Sequence, residues 1–303
     1  MKMSAHGGQV RRAVVAGMVA VASLTRSAMA EPNFAPSPSI GWRAYSAIFM
    51  PPASGPGPVQ QDPAHPYITN DEFRVTGKQP TQRVGDLSNP ILQPWAREVI
   101  RKRNELVLAG KLVPSPHASC WPVGVTLFLL SSMTQPMYIV QGRQEVALIL
   151  TAGNDVRHIH LTDKHSANLK SSWYGDSVGH YEGDALLVDT IGLNDRTPMD
   201  GFGTPHTTKL HVTERFHLID DGKALEANVR VEDPGAFTTA WNAVQRFRPY
   251  DEAARKVPVE RLIQLATGTI EGPLPEEICA ENPHSFFEGV PSLPIPQAAV
   301  PDF

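Results

Sequence analysis

Residues 208–233 of this 303-residue chain, TKLHVTERFHLIDDGKALEANVRVED, decide the fold. Two stretches with alternating apolar residues flank Asp221-Gly222, a dipeptide preferred in two-residue β-hairpin turns. With this turn, residue 218 pairs with 225, and the pairing continues outward to residues 210 and 233. One face then carries Leu210, Val212, Phe216, Leu218, Leu225, Ala227, Val229 and Val231. A slip of one residue would move this set to the other face, so the pattern predicts a single register.

Seven further stretches in the central region have the same character, being short, rich in β-branched or aromatic residues, and separated by Gly, Asn or Asp. Together with the hairpin they give eight predicted strands: MYIVQ, EVALILT, VRHIHLT, SWYGDSVGHY, DALLVDTI, TKLHVTERFHLI, KALEANVRVED and AWNAVQRFR. Consecutive strands with tight turns favour an antiparallel meander, closed as a barrel or stacked as a sandwich, over a βαβ fold.

The regions outside the strands define the predicted domain organisation. Residues 94–109, PWAREVIRKRNELVLA, form the best helix, because Pro94 suits its first turn and Gly110 its C′ position. Pro-rich composition predicts an extended or partly disordered arm at 31–93 and a tail at 291–303. The expected order is therefore a signal at 1–30, the arm at 31–93, the helix and a loop at 94–136, the barrel at 137–290, and the tail.

The first 30 residues predict export. Lys2, Arg11 and Arg12 precede an apolar stretch at 13–24, and Ala28-Met29-Ala30 has the form of a cleavage site. An uncleaved anchor is the alternative. No later stretch is long and apolar enough to cross a membrane as a helix, so we expect a mature chain without a membrane span, periplasmic or secreted.

Charge and cysteine content fit that compartment. Cleavage removes four of the 27 basic residues and none of the 31 acidic ones, which leaves a net charge of −8. An acidic chain without basic runs is a poor candidate for binding nucleic acid or an anionic membrane. The two cysteines, Cys120 and Cys279, would form a disulfide in an oxidising compartment, with two buried thiols as the alternative.

Glu214 is the first candidate for chemistry. In the hairpin register it falls on the apolar face opposite Val229, where an ionised carboxylate is costly unless paired. A Glu with a raised pKa suits general acid or base catalysis near neutral pH. The alternative is a structural salt bridge to an arginine on a neighbouring strand, such as Arg157.

Asp176 and Asp189 are the second candidate. If Glu182-Gly183 forms the turn of their hairpin, the two carboxylates lie directly opposite each other, which destabilises a sheet. A shared proton, a cation between them, or a third partner such as Arg or His would relieve the repulsion. A capping role for one Asp, or a different register, would remove the problem altogether.

Histidines give the third candidate. Seven of the 11 histidines lie between residues 158 and 217, and His158 and His160 share one face of a strand. With His206, Asp176 or Asp189 they could hold a divalent metal, although no spacing is diagnostic and a solvated surface is the alternative. His211 and His217 face Glu232 and Glu226 in the hairpin register, which suggests structural roles. No organic cofactor is predicted.

The long connection at 193–211 is the fourth candidate, because binding sites are commonly built on such loops. His206 in this loop is a candidate catalytic partner. An ordered polar loop held by Asx turns is the alternative. Five residues are expected to bind substrate: Asn194, Arg196, Trp173, Tyr174 and Arg157.

Three segments resemble a family of exported bacterial β-rich proteins of no known function. The family pattern reads W-x-G-D-S-x-G-x-W-E-G-D-x-L-x-V-D-T, then P-H-S-x-x-L-H-V-x-E-R-F, then D-P-x-x-Y-T. The matching segments here are SWYGDSVGHYEGDALLVDTIGLNDRT, GTPHTTKLHVTERF and VEDPGAFTTAW. The departures are Tyr181 for Trp, Thr207 for Ser, Pro198 for Trp, and His158 for Arg. The resemblance covers roughly residues 90–283 and implies a common fold but no reaction.

The β-meander also resembles a calycin or lipocalin-like barrel, which carries no function by itself. We therefore expect an exported enzyme that uses Glu214, His206, Asp176 and Asp189 for acid–base chemistry on a small, apolar organic molecule inside the barrel. Hydrolysis, elimination and isomerisation are the expected reaction classes. A non-catalytic small-ligand carrier and a metal-dependent or metal-binding protein are the alternatives, and the oligomeric state is open.

Overall fold

The computed structural model describes residues 31–35, 41–79, 81–111, 113, 115–116, 120–132, 136–150 and 155–250. Within them lie three helices, which are α1 (Asn70–Thr76), α2 (Pro94–Leu108) and α3 (Gly124–Ser131). The nine strands are β1 (Trp42–Ala44), β2 (Met137–Gln141), β3 (Glu145–Leu150), β4 (Asp155–Leu161), β5 (Asp176–Glu182), β6 (Ala185–Ile191), β7 (His211–Ile219), β8 (Ala224–Glu232) and β9 (Trp241–Pro249).

The nine strands close into one barrel in chain order, with β1 hydrogen-bonded to β9. This confirms the prediction of a mainly β, lipocalin-like barrel. All eight predicted strands are present. Most of their ends differ from the predicted ones by a few residues. One pair departs from the meander: β4 and β5 run parallel. The connection at 162–175 is long enough to cross over between two parallel strands.

The hairpin of β7 and β8 has the predicted register. Leu218 pairs with Leu225 and Glu214 with Val229. Asp221 and Gly222 have φ values of 56° and 81°, the left-handed conformation that a type I′ turn requires at both central positions. The alternation of apolar and polar residues fixed this register because only one face is buried.

The region at 31–93 departs from the predicted arm. It supplies β1, which closes the barrel, and several fully or nearly fully buried side chains, among them Phe34, Trp42 and Ile91. Trp42 donates its indole N–H to the carbonyl of Phe34 at 2.7 Å. The Pro-rich composition concealed this role because single apolar anchors, spaced irregularly, have no helical or strand period.

The predicted helix at 94–109 is α2, with Pro94 in its first turn and Gly110 at φ 73° just after it. Helix α3, GVTLFLLS, lies in what was predicted to be a loop. Because six of its eight residues are apolar and six are buried, its sequence has no amphipathic period to reveal a helix. No helix within the described residues is both long and apolar enough to cross a bilayer.

Several predictions fall outside the described residues. These are the signal at 1–30, the part of the barrel domain after Tyr250, the tail at 291–303, and Cys279. The Cys120–Cys279 disulfide and the exported location therefore stay predictions.

Candidate functional site

The outer face of β5–β9 presents two continuous rows of side chains, each crossing all five strands. The first row is Val178, Asp189, Thr213, Arg230 and Asn242, and each residue pairs with the next across the sheet. The second row lies one step along the strands and is His180, Leu187, Arg215, Asn228 and Val244. In β6–β9 these positions alternate with buried residues, and in β5 His180 is exposed although Val178 is itself buried, so both rows face away from the barrel core.

The two rows form the floor of a groove of about 730 Å³, which we call the outer groove. Its walls are Thr162, Asp163 and His165 beside β5, and Pro52 beside β9. A cavity of this volume lies in the range of small-molecule sites. The sequence predicted a ligand inside the barrel, whereas this groove lies on its outer face.

His165 lies between two carboxylates at the edge of the groove. Its Nδ1 is 3.1 Å from Oδ2 of Asp176, and its Nε2 is 2.8 Å from Oδ1 of Asp189. Asp176 also accepts the backbone N–H of Ser166 at 2.8 Å. Ionised carboxylates only accept hydrogen bonds, so both contacts are satisfied together when the imidazole carries two protons.

Asp189 joins this cluster to a second imidazole. Its Oδ2 is 2.9 Å from Nε2 of His211, whose Nδ1 lies 3.9 Å from Glu232. Partial burial raises the pKa of Asp189, but the hydrogen bonds from His211 and His165, together with the charges of both rings, outweigh burial and lower it. Asp189 is therefore held as an anion between two histidines.

The predicted pairing of Asp176 with Asp189 is wrong by two residues. The turn lies at Gly183-Asp184 rather than at Glu182-Gly183, so Asp189 pairs with Val178 and Asp176 with Ile191. Because the shift is even, both carboxylates stay on the same face. Of the three arrangements predicted to relieve their repulsion, the structure contains the third, a basic partner.

Glu214 lies inside the barrel and is paired with Arg157. Arg157 Nη1 is 2.8 Å from Glu214 Oε1, and both side chains are fully buried. The guanidinium also contacts Thr190 Oγ1 at 2.9 Å and Ser177 Oγ at 3.3 Å. The salt bridge that the sequence left as an alternative is present, and it ties β4 to β7 across β5 and β6.

His206 lies apart from the outer groove. It is 6 % exposed, and its Nδ1 lies 3.1 Å from the carbonyl of Thr207. The same connection contains Asp200, whose carboxylate accepts from Phe202 N, Thr204 N and Thr204 Oγ1. Burial raises the pKa of Asp200, against the opposing hydrogen bonds and the charge of Arg103. The connection is therefore an ordered loop with a buried polar centre.

The other predicted substrate-binding residues make contacts away from the outer groove. The Arg196 guanidinium lies 5.6 Å from the ring of Trp173, and Tyr174 meets Phe128 edge to face at 6.0 Å. Asn194 Oδ1 accepts the N–H of Arg196 at 3.2 Å, which is an Asx turn. None of these residues lines the outer groove.

The predicted metal ligands do not converge. His158 is 56 % exposed and lies 3.3 Å from Glu145, while His160 points to solvent from the same face of β4. Among the described residues, no group of three or more His, Cys, Asp or Glu side chains is arranged to hold a metal ion.

Three charged or titratable groove residues that matter for the site, His165, Arg215 and Arg230, are not among the site residues predicted from the sequence. In the sequence His165 is only one of the clustered histidines, because its loop has no pattern that brings it back onto β5 and β6. Arg215 and Arg230 were detectable, since the correct hairpin register places both on the polar face of β7 and β8.

Comparison of the chain with known protein families, with curated proteins and with solved structures gives no match.

Proposed function

We propose that this protein is an exported enzyme that performs acid–base chemistry on a small organic molecule bound in the outer groove. The observation that supports this proposal is the position of His165, which lines the groove with its two nitrogens 3.1 Å and 2.8 Å from Asp176 and Asp189. An imidazole oriented by a carboxylate is a common general acid or base.

The two carboxylates have different roles in this proposal. Asp176 is the more buried, with 17 % of its side chain exposed, and a backbone N–H also holds it in place. It is therefore the orienting carboxylate, which fixes the ring through Nδ1. Asp189 is 42 % exposed and lines the groove, so it holds the Nε2 proton until a ligand binds.

A ligand can replace Asp189 at Nε2 without leaving that carboxylate unpaired. Asp189 keeps its hydrogen bond to His211 through the other oxygen. The Nε2 proton of His165 is then free to pass to a leaving group or a carbonyl oxygen of the ligand. Once it has given up this proton, the neutral imidazole of His165 can accept a proton from water or from carbon. This suits hydrolysis, elimination or isomerisation.

Glu214 and His206 take other roles than the catalytic ones expected from the sequence. In this proposal the Arg157–Glu214 pair supports the groove floor from inside, since Glu214 lies in β7 between the groove residues Thr213 and Arg215.

The second candidate function is a small-ligand carrier. The contacts of both His165 nitrogens with carboxylates favour the carrier function. If Asp189 never released Nε2, the ring could not exchange a proton with a ligand.

The test is turnover of a panel of small organic acids, esters and hydroxy acids in D₂O, followed by proton NMR. Wild type should convert or deuterate at least one compound, with or without a chelator. His165→Gln and Asp176→Asn should lower that rate by about 10²-fold or more. His65→Gln is the matched control, because His65 pairs with Asp62 at 2.9 Å on the surface, outside the groove.

Three outcomes would contradict the proposal. Binding without turnover by the wild type assigns the carrier function. Unchanged turnover in His165→Gln removes His165 from the chemistry. Loss of turnover on chelation assigns a metal-dependent reaction instead.

A further inference from the structure

We propose that the ligand of the outer groove is a small organic anion, with its carboxylate, phosphate or sulfonate group held by Arg215 and Arg230. This inference deepens the proposed function and rests on it for the choice of site. It adds the class of ligand and the residues that recognise it.

The two arginines project from diagonal positions on neighbouring strands. Arg230 pairs with Thr213 and Arg215 pairs with Asn228, so both guanidinium groups leave the same outer face. Diagonal neighbours of this kind lie about 7–8 Å apart, within reach of two long side chains for one group between them. Thr213 and Asn228 add a hydroxyl and an amide on the same floor.

Both guanidinium groups keep donors for a ligand. Within the described chain, Arg215 Nη2 donates to Asp184 at 3.3 Å, and Arg230 Nε donates to Glu232 at 2.8 Å, where Nη2 contacts the same oxygen. A guanidinium has five N–H donors in a planar fork, which suits a second, bidentate contact to an oxyanion. Asp184 is 72 % exposed, so its hold on Arg215 is weak.

Charge is unevenly distributed along the groove. Three acidic residues line it. Asp163 and Asp189 lie on the β4–β6 side, where two histidines engage Asp189, whereas Glu214 lies on β7 with its side chain fully buried and paired with Arg157. The arginines lie over β7 and β8. An anionic group is therefore attracted to the β7–β8 end and repelled from the Asp163 end.

This polarity sets the orientation of the ligand. Asp189 on β6 and Arg230 on β8 are two strands apart, a separation of about 10 Å. A ligand anchored at the arginines thus places its far end at His165. Apolar side chains at both ends of the groove, Val178, Leu187, Val244 and Pro52, provide contacts for a hydrocarbon or aromatic body.

The test uses a pair of fluorescent probes with the same aromatic body. 8-Anilinonaphthalene-1-sulfonate carries one sulfonate, and N-phenyl-1-naphthylamine is the neutral parent. Wild type should bind the sulfonate more tightly than the parent. Arg215→Gln and Arg230→Gln should each weaken sulfonate binding by about tenfold and leave binding of the neutral probe unchanged.

Arg246→Gln is the matched control. Arg246 and Arg230 lie on the same outer face and have similar surroundings: Arg246 is 51 % exposed and paired with Glu226, and Arg230 is 50 % exposed and paired with Glu232. Arg246, however, does not line the groove. The Arg246→Gln variant should bind the sulfonate as tightly as the wild type does. Thermal unfolding of each variant checks that probe binding reports the folded protein.

The proposal is overturned if the sulfonate does not bind the wild type. It is also overturned if the neutral probe binds as tightly as the sulfonate, or if the two groove variants behave like Arg246→Gln. The proposed function is tested separately, because His165→Gln should lose turnover but keep sulfonate binding. A failure of the turnover result therefore leaves the ligand class standing, and a failure of the binding result leaves the role of His165 standing.

Discussion

Asp189 lies opposite Val178, and Asp176 lies two residues before Val178 in β5, so the two carboxylates are diagonal neighbours with His165 between them. The sheet therefore carries no directly opposed pair of like charges. His165 draws the loop at 162–175 back onto the barrel, and the same contacts place an imidazole at the groove. One set of charges thus serves both the folding of the loop and the chemistry that we propose.

Replacing Asp189 with Asn should destabilise the protein near neutral pH but not in acid. The folded-state pKa of Asp189 is lower than its ordinary 3.8, so its stabilisation is present above pH 3.8 and is lost as pH falls through the folded-state value. The carboxylate is 42 % exposed, so solvent limits the effect to about 1 kcal/mol, or about 2–4 °C in Tm.

The measurement is Tm against pH for the wild type and Asp189→Asn, with Asp195→Asn as a control for the loss of an exposed charge. The difference between wild type and Asp189→Asn should shrink below pH 3.8. A difference that stays constant in acid would show that the Asp189 carboxylate does not hold the histidines.

Replacing Asp200 with Ala should cost about 2–4 kcal/mol, because three donors, at Phe202 N, Thr204 N and Thr204 Oγ1, lose their buried acceptor. Asp200→Asn should cost less, since it keeps an acceptor oxygen and the Thr204 hydroxyl can reverse its direction. Burial raises the pKa of Asp200, so the penalty for its charge grows as pH rises above 3.8 and is constant above the folded-state value.

Urea unfolding at pH 7 and pH 4 measures these costs. The wild type should gain stability relative to Asp200→Asn at the lower pH, because burial raises the pKa of Asp200 and a larger fraction of this carboxyl is then protonated. Equal costs for the Ala and Asn variants would mean that the three hydrogen bonds do not stabilise the loop.

Periodicity explains how much of this structure the sequence predicted. The β7–β8 hairpin was predicted in full because one buried face and one Asp-Gly turn agree on a single register. The β5–β6 register was missed by two residues because its turn, Gly183-Asp184, competes with Glu182-Gly183 and both keep the same residues on each face. The choice between them depends on packing with β4 and β7, which the hairpin sequence does not contain.

The candidate site was predicted in part for the same reason. Asp176 and Asp189 were identified because their charges conflict with a strand pattern. His165 comes from a loop, and its approach to them depends on the crossover between the parallel strands β4 and β5. A groove built from rows that cross five strands also has no signature along the chain, because its members are separated by tens of residues.

The buried pair of Arg157 and Glu214 should stabilise the barrel only as a pair. Arg157→Met alone leaves a fully buried carboxylate without its charged partner, and Glu214→Leu alone leaves a fully buried guanidinium with only the hydroxyls of Thr190 and Ser177. Each single change should cost about 3–5 kcal/mol, whereas the double variant, which removes both charges, should cost less than either.

Urea unfolding of the three variants, read as a double-mutant cycle, measures the coupling between the two side chains. Arg101→Met is the matched control, because Arg101 pairs with Glu98 on the exposed surface of α2, where an ion pair contributes less than about 1 kcal/mol. Glu214→Gln adds a functional readout. If it loses turnover while remaining as stable as the wild type, Glu214 acts in the reaction and the assignment of proton transfer to His165 is wrong. If it unfolds more easily and the folded fraction turns over normally, Glu214 supports the groove from inside the barrel.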